Sequence, residues 1–338
     1  MFNTKKILTA FIASLVLVST GAIAQTFKVS TLYPDGTAVL VELKKASKDI
    51  EAKTEGRVKF KFYPGGVMGN DQAVFAKIRR NQLHGSLTQG GAVAQFFKDS
   101  QVYNVPLAFN SFDEVDYVRS KMDKGLMQGL EDSGWVTFGL VDGGFAYAMT
   151  KQPVANVDDL RQQKLWLPAN DPASEKAATA FELKPIVMNI GEVLTSLQTG
   201  AINAIAAPPV AALTLQWHSK VDYMTDVPLL YTYGLLTLSK KAFVKVSPED
   251  QKVTREVMGS VFAKLDALNR KDNIAAFDAM KQQGVKVVDP TADDVAQWKT
   301  YAETATKGLV AKGEFSQEIL DTMQGHLNDF RKNKVAAN

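Results

Sequence analysis

With 338 residues, 46% hydrophobic and 22% charged, the chain has an ordinary globular composition and is long enough for two domains of typical size. Its lack of cysteine excludes disulfides, thiolate metal sites and a cysteine nucleophile. A formal charge of +3 gives none of the basic patches that mark a nucleic-acid surface, so no nucleic-acid partner is expected.

Residues 1–24 have the layout of a cleavable secretory signal: Lys5 and Lys6, an apolar run from Ile7 to Val18, then Ala22-Ile23-Ala24. Cleavage is expected before Gln25. Losing Lys5 and Lys6 takes the 39 basic residues to 37 against 36 acidic, a balance of +1. The apolar run is short for a membrane span, and no later segment approaches the roughly 20 apolar residues that a span needs.

Phe27 to Thr31 reads as a strand, and Thr37 as the cap of a helix with Leu40, Leu43, Ala46 and Ile50 at helical spacing. Val58, Phe60 and Phe62 alternate as in a strand, and Asn70-Asp71 starts a helix that ends in Lys77, Arg79 and Arg80. This rhythm predicts an α/β lobe with a largely parallel sheet. Strand-like Leu83 to Thr88 leads into Gln89-Gly90-Gly91, either a turn that needs glycine or a loop where backbone approaches a ligand. Ser111 with Glu114 forms a capping box for a helix to about Glu131, followed by a buried strand from Trp135 to Val141.

Asp142-Gly143-Gly144 is read as the first crossing between lobes. Asp171 caps a helix through Phe181, Ile186 to Met188 is a short strand, and Gly191 opens a helix closed by Gly200. Ala201 to Ala206 is predicted as a strand, Val210 to Trp217 as a helix, and Tyr231 to Leu238 as a strand crossing back. Ser247-Pro248-Glu249-Asp250 starts a helix reaching Gln283. At 1.5 Å per residue it spans about 54 Å, enough to brace both lobes. A short strand at Val285 to Val288, a helix capped by Thr291 and an amphipathic stretch from Ser316 to Lys332 complete the chain.

Enzyme signatures are sparse. His84, His218 and His326 are more than a hundred residues apart and have no metal-ligand spacing, so no metal site is expected. No phosphate loop, dinucleotide fingerprint or nucleophile elbow occurs. Asp158-Asp159 and Asp293-Asp294 sit beside predicted helix starts, where capping explains them. No catalytic residue and no cofactor is expected.

Several segments, in order, carry a resemblance: Gly56-Arg57-Val58, Tyr63-Pro64 with Gly69-Asn70-Asp71, Tyr103 to Phe109, Val157 to Pro168, and Ser196-Leu197-Gln198-Thr199-Gly200. Together they resemble the solute-binding proteins of TRAP transporters (tripartite, ATP-independent, of the DctP type). The resemblance implies a two-lobed, periplasmic-binding-protein-like (flytrap) α/β fold. Lobe I would take residues 25–143 with 233–270, and lobe II 144–232 with 271–338. It also implies a periplasmic protein that captures a small molecule in the interlobe cleft and delivers it to the TRAP membrane permease subunits. A binding protein serving a sensor or partner protein is the alternative, and a periplasmic enzyme in the same cleft a further one.

The family's usual ligand is an organic anion clamped by arginine. Against that pattern, this sequence has Ala146, Trp166 and Ala207 where the resemblance places the polar contacts. A carboxylate buried there would lose its water with no paired cation. The expected ligand is therefore apolar, aromatic or lipid-like, with Trp166 offering its ring. Pro208-Pro209-Val210-Ala211-Ala212-Leu213 and Gln216-Trp217 look like an arginine-less branch, some members of which sit beside a TPR-repeat partner. Trp166 could equally be a core residue between Leu165 and Leu167. Tyr33, Gln89, Gly90, Phe145, Asn170, Asn189 and Trp217 are further ligand-site candidates, with packing or capping as the alternative for Tyr33, Trp217, Asn170 and Asn189.

Overall fold

The structure is a computed structural model that describes residues 24–169 and 171–337. The expected leader up to residue 23, and Asn170, lie outside the described residues.

The first lobe opens with β1 (Gln25–Thr31), α1 (Ala38–Lys53), β2 (Val58–Tyr63), α2 (Asp71–Arg79) and β3 (Gly85–Gln89). Asn70 caps α2 by accepting from the Ala73 N–H. Thr37 does not cap α1, because its hydroxyl donates to the Pro34 carbonyl instead. A 3-10 segment at Lys98–Asn104 precedes α3 (Phe112–Asp132). The Ser111 hydroxyl accepts from Glu114 N–H as expected, but the Glu114 carboxylate takes the Asn110 N–H.

The predicted strand from Trp135 is split into β4 (Trp135–Val136) and β5 (Leu140–Thr150). Between them Gly139 lies so close to Phe262 that a Cβ would stand 2.7 Å from that side chain. After β5 come α4 (Val157–Arg161), β6 (Trp166–Pro168), α5 (Pro172–Ala180), β7 (Ile186–Met188), α6 (Val193–Thr199), β8 (Ala204–Ala207), α7 (Pro209–Thr214) and β9 (Tyr223–Thr225). Gly200 ends α6 at φ +73°, the left-handed conformation that glycine adopts without a steric cost. Then β10 (Leu230–Ser239) crosses back, and α8 (Lys240–Phe243), α9 (Pro248–Gln282), β11 (Lys286–Val288), α10 (Ala292–Ala311) and α11 (Gln317–Ala337) follow.

The order β2-β1-β3 is parallel, as predicted, while β10 joins β3 antiparallel and β5 joins β10 antiparallel. Beyond β10, β5 pairs with β8 and β9, so β5 and β10 link the two halves of the sheet. The β5–β10 register shifts between Thr232 and Tyr233, where Gly144 has φ +87°. The 35 residues of α9 brace both halves. Phe262 and Leu265 pack with the β1 and α1 residues Phe27 and Leu43, whereas Met280 packs with Met149 and Met224.

One expected boundary differs. The tail 271–338 is expected as a whole in lobe II, yet α11 packs Leu320, Met323 and Leu327 into the same cluster as Val115 and Met122 of α3. Arg331 clinches it with two hydrogen bonds to Glu114, at 2.8 and 2.9 Å. Burial works against the Glu114 carboxylate, but the Arg331 guanidinium and the Asn110 N–H hold its pKa below the usual range. An amphipathic helix after a flexible turn goes where its apolar stripe is covered, and sequence periodicity does not say where that is.

Candidate ligand-binding site

A cavity of ≈ 100 Å³ lies where the 98–107 segment of the first lobe meets α5, β5 and β8 of the second. Its floor is small: Ala148 and Ala206 stand opposite each other across the β5–β8 pair, and Ala177 and Ala178 line it from α5. Leu160, Leu165, Leu167, Phe181 and Trp298 give the apolar walls. At roughly 24 cal/mol per Å³, a void of this size costs the packed chain about 2 kcal/mol. Filling it would need only larger side chains at the alanines.

Among the described residues, no charged residue lines this cavity. Its polar groups are Ser174, Gln101 and Asn104. Gln101 is 3% exposed with Nε2 unpartnered, and Asn104 donates from Nδ2 to the Tyr231 carbonyl at 3.1 Å while its buried Oδ1 has no partner. A buried donor or acceptor left unpaired costs about 1–3 kcal/mol.

Guanidinium groups near the lobe junction are committed elsewhere. Arg119 donates to Asp266 at 2.8 Å, Asp123 at 3.0 Å, the Tyr231 hydroxyl at 3.1 Å and the Leu140 carbonyl at 2.8 Å. Arg270 holds Asp142 at 2.7 Å and Asp116 through two bonds, and Arg161 stacks over the Tyr301 ring at 4.7 Å. Away from the cavity lining, Asn70 before α2 donates from Nδ2 to the Asn189 Oδ1 at 2.9 Å, a bond between the two halves of the chain. Beside it, burial pushes the Asp71 carboxyl above its ordinary value, with one Thr88 hydroxyl as partner.

The ten expected site residues divide. Trp166, Ala207 and Trp217 come together, but in an apolar core cluster. The Trp166 Nε1–H donates to the Met188 carbonyl at 3.0 Å, and its ring meets Trp217 edge to face at 5.2 Å. Its neighbours Leu165 and Leu167 point the other way and line the cavity. Trp166 is expected to offer its face to a ligand; in this structure its ring is packed in the core against Trp217 and bonded to the Met188 carbonyl.

Phe145 packs against Phe112 and Tyr231. Gly90 is required by Tyr233, whose ring would lie within 2.3–2.7 Å of any Cβ there. Gln89 is exposed at the end of β3 opposite Gly234, and Tyr33 is exposed. Asn189 accepts from Asn70 and donates its N–H to Glu192 at 2.8 Å. Ala146 borders the cavity lining: it pairs with the lining residue Leu230 and shares a strand face with Ala148. Gln101 and Asn104 carried no sequence signal beyond being polar residues in a short segment. Asp158-Asp159 and Asp293-Asp294 resolve as caps, with Asp159 and Asp294 completing capping boxes with Asn156 and Thr291.

Among the described residues no group of three or more His, Asp or Glu is placed to hold a metal ion, and no helix is long and apolar enough to cross a membrane.

The family model described as "Bacterial extracellular solute-binding protein, family 7" matches residues 29–312. Among relatives, the 2,3-diketo-L-gulonate-binding periplasmic protein YiaO of Escherichia coli is 24% identical over 82% of this chain and 85% of its own length. The C4-dicarboxylate-binding periplasmic protein DctP of Rhodobacter capsulatus is 24% identical over 74% of this chain and 75% of its own. A TRAP periplasmic solute-binding protein from Haemophilus influenzae, solved with bound L-gulonate, aligns with a TM-score of 0.81 at 18% identity, covering 89% of this chain and 99% of that one. At that identity the likeness establishes the fold.

Proposed function

The chain belongs to family 7 of the bacterial extracellular solute-binding proteins, is the periplasmic solute-binding component of a TRAP transporter rather than an enzyme, and, we propose, carries a small uncharged ligand in its interlobe cavity. A ligand touching both lobes stabilises the closed form by its differential contacts, and the membrane permease then receives it. The observation that carries the ligand reading is the cavity itself, walled by both lobes and lined by no charged residue.

Relatives point the other way, since their names and bound molecules are organic acids such as 2,3-diketo-L-gulonate and D-glucuronate. Those ligands need a cation to replace lost water. Here Ala146, Trp166 and Ala207 supply none, and Arg119, Arg161 and Arg270 are engaged in the fold. A lipid-like ligand, expected from the branch resemblance, is not retained in this proposal. An engineered cavity of roughly 150 Å³ takes benzene, so ≈ 100 Å³ suits a short molecule and not an acyl chain. The leader at residues 1–24 and a TPR-repeat partner remain part of the proposal, read out by N-terminal sequencing of the exported protein and by co-purification.

Native mass spectrometry of protein taken from cells tests the ligand reading. A bound small neutral molecule is expected, and Ala148→Leu, which fills the floor, should abolish its retention. Micromolar binding of a sugar acid or C4-dicarboxylate that survives Ala148→Leu would sink it.

A further inference from the structure

We propose that Gln101 and Asn104 read the polar end of the ligand, and that this end is a carboxamide or hydroxyl group that donates a hydrogen bond. The inference rests on the cavity being the ligand site.

Asn104 has a fixed orientation. Because Nδ2 donates to the Tyr231 carbonyl at 3.1 Å, the atom left over is Oδ1, an acceptor, and it is buried without a partner. A ligand group next to it must bring a proton. Gln101, three residues earlier on the same 3-10 segment, is buried, and its Nε2 is an unpaired donor. Acceptor and donor therefore stand on one short segment in the lining of a cavity whose remaining lining is almost wholly apolar.

A carboxamide answers both, its N–H₂ to Asn104 and its carbonyl to Gln101; a hydroxyl, donor and acceptor at once, answers them through one atom. A carboxylate brings acceptors only, so it satisfies Gln101 while confronting Asn104 Oδ1 with a second negative oxygen, with no cation in the lining to compensate. This segment thus selects against the acids that the named relatives bind, by repulsion as well as by a missing clamp.

Three probes of nearly equal size separate these terms: butyramide, methyl propyl ketone and butyrate, titrated into the purified full-length protein by ligand-observed NMR or calorimetry. Butyramide should bind about tenfold tighter than the ketone, which lacks the donor, and butyrate should bind weakest. Gln101→Met should weaken butyramide and the ketone by about tenfold alike while raising the melting temperature of the unliganded protein, because it removes a buried unpaired amide. Gln101→Glu, which keeps the shape and loses the donor, should give the same loss of butyramide binding. Butyrate binding as tightly as butyramide overturns the inference, as does unchanged butyramide binding in either Gln101 variant. Binding of none of the three by a protein that still takes a sugar acid overturns the cavity reading and this inference together, a result distinct from preference for butyrate.

Discussion

Strand β5 serves both the hinge and the cavity, and the two are made of opposite materials. Around Asp142 the chain gathers Arg119, Asp266 and Arg270, all hydrogen-bonded, with the Asp142 N–H donating to Asp266 at 2.6 Å. Six residues on, around Ala148, no charge lines the wall. Burial pushes the Asp142 carboxyl up while Arg270 pulls it back, so the hinge charges are held by one another. What the difference teaches is that arginine in this protein ties α3, β5 and α9 to one another, whereas further along the same strand the cavity is lined by apolar side chains and neutral polar groups.

The largest break of that comparison is at the hinge. Arg119→Met strands Asp266, Asp123 and the Leu140 carbonyl, so unfolding in urea should show a loss of about 3–5 kcal/mol. If Arg119 served the ligand, binding would fall and stability would not. A smaller effect is expected at Trp166→Phe, which loses the Met188 hydrogen bond and part of the Trp217 contact. Stability should drop by about 1–2 kcal/mol with ligand affinity unchanged, whereas a large affinity loss at constant stability would restore Trp166 to the ligand.

The smallest concerns Asp71. Its folded-state pKa is raised from the ordinary 3.8 by burial, so the folded protein holds its proton longer than the unfolded chain. Stability contributed by this group therefore falls as pH rises from about 3.8 to the raised value, and stays lower above it. Asp71→Asn should remove that slope and raise the melting temperature at neutral pH, by less than about 1 kcal/mol in stability. An unchanged pH profile would place the Asp71 carboxylate in water.

Much of the fold was legible because it is written locally. The caps at Asn70 and Thr291, the glycine stop at Gly200 and the long helix from Pro248 follow from residues within one turn of the feature they set. Strand β6 was legible as a strand, but not as to its faces. Leu165, Trp166 and Leu167 are all apolar, so alternation gives no polarity contrast to say which side meets the core. The split at Gly139 was hidden too, since its cause, Phe262, is 123 positions away along the chain.

By itself, the sequence determined the α/β order, a matter of residue identity and local spacing, and its family resemblance implied the two-lobed frame. Tertiary structure decided where Trp166 points, which lobe α11 covers, and that Ala148, Ala206, Ala178 and Gln101 meet around one void. A cavity is the shortfall between the volumes of side chains brought together from distant segments and the space their backbones enclose. No single stretch of sequence carries that difference.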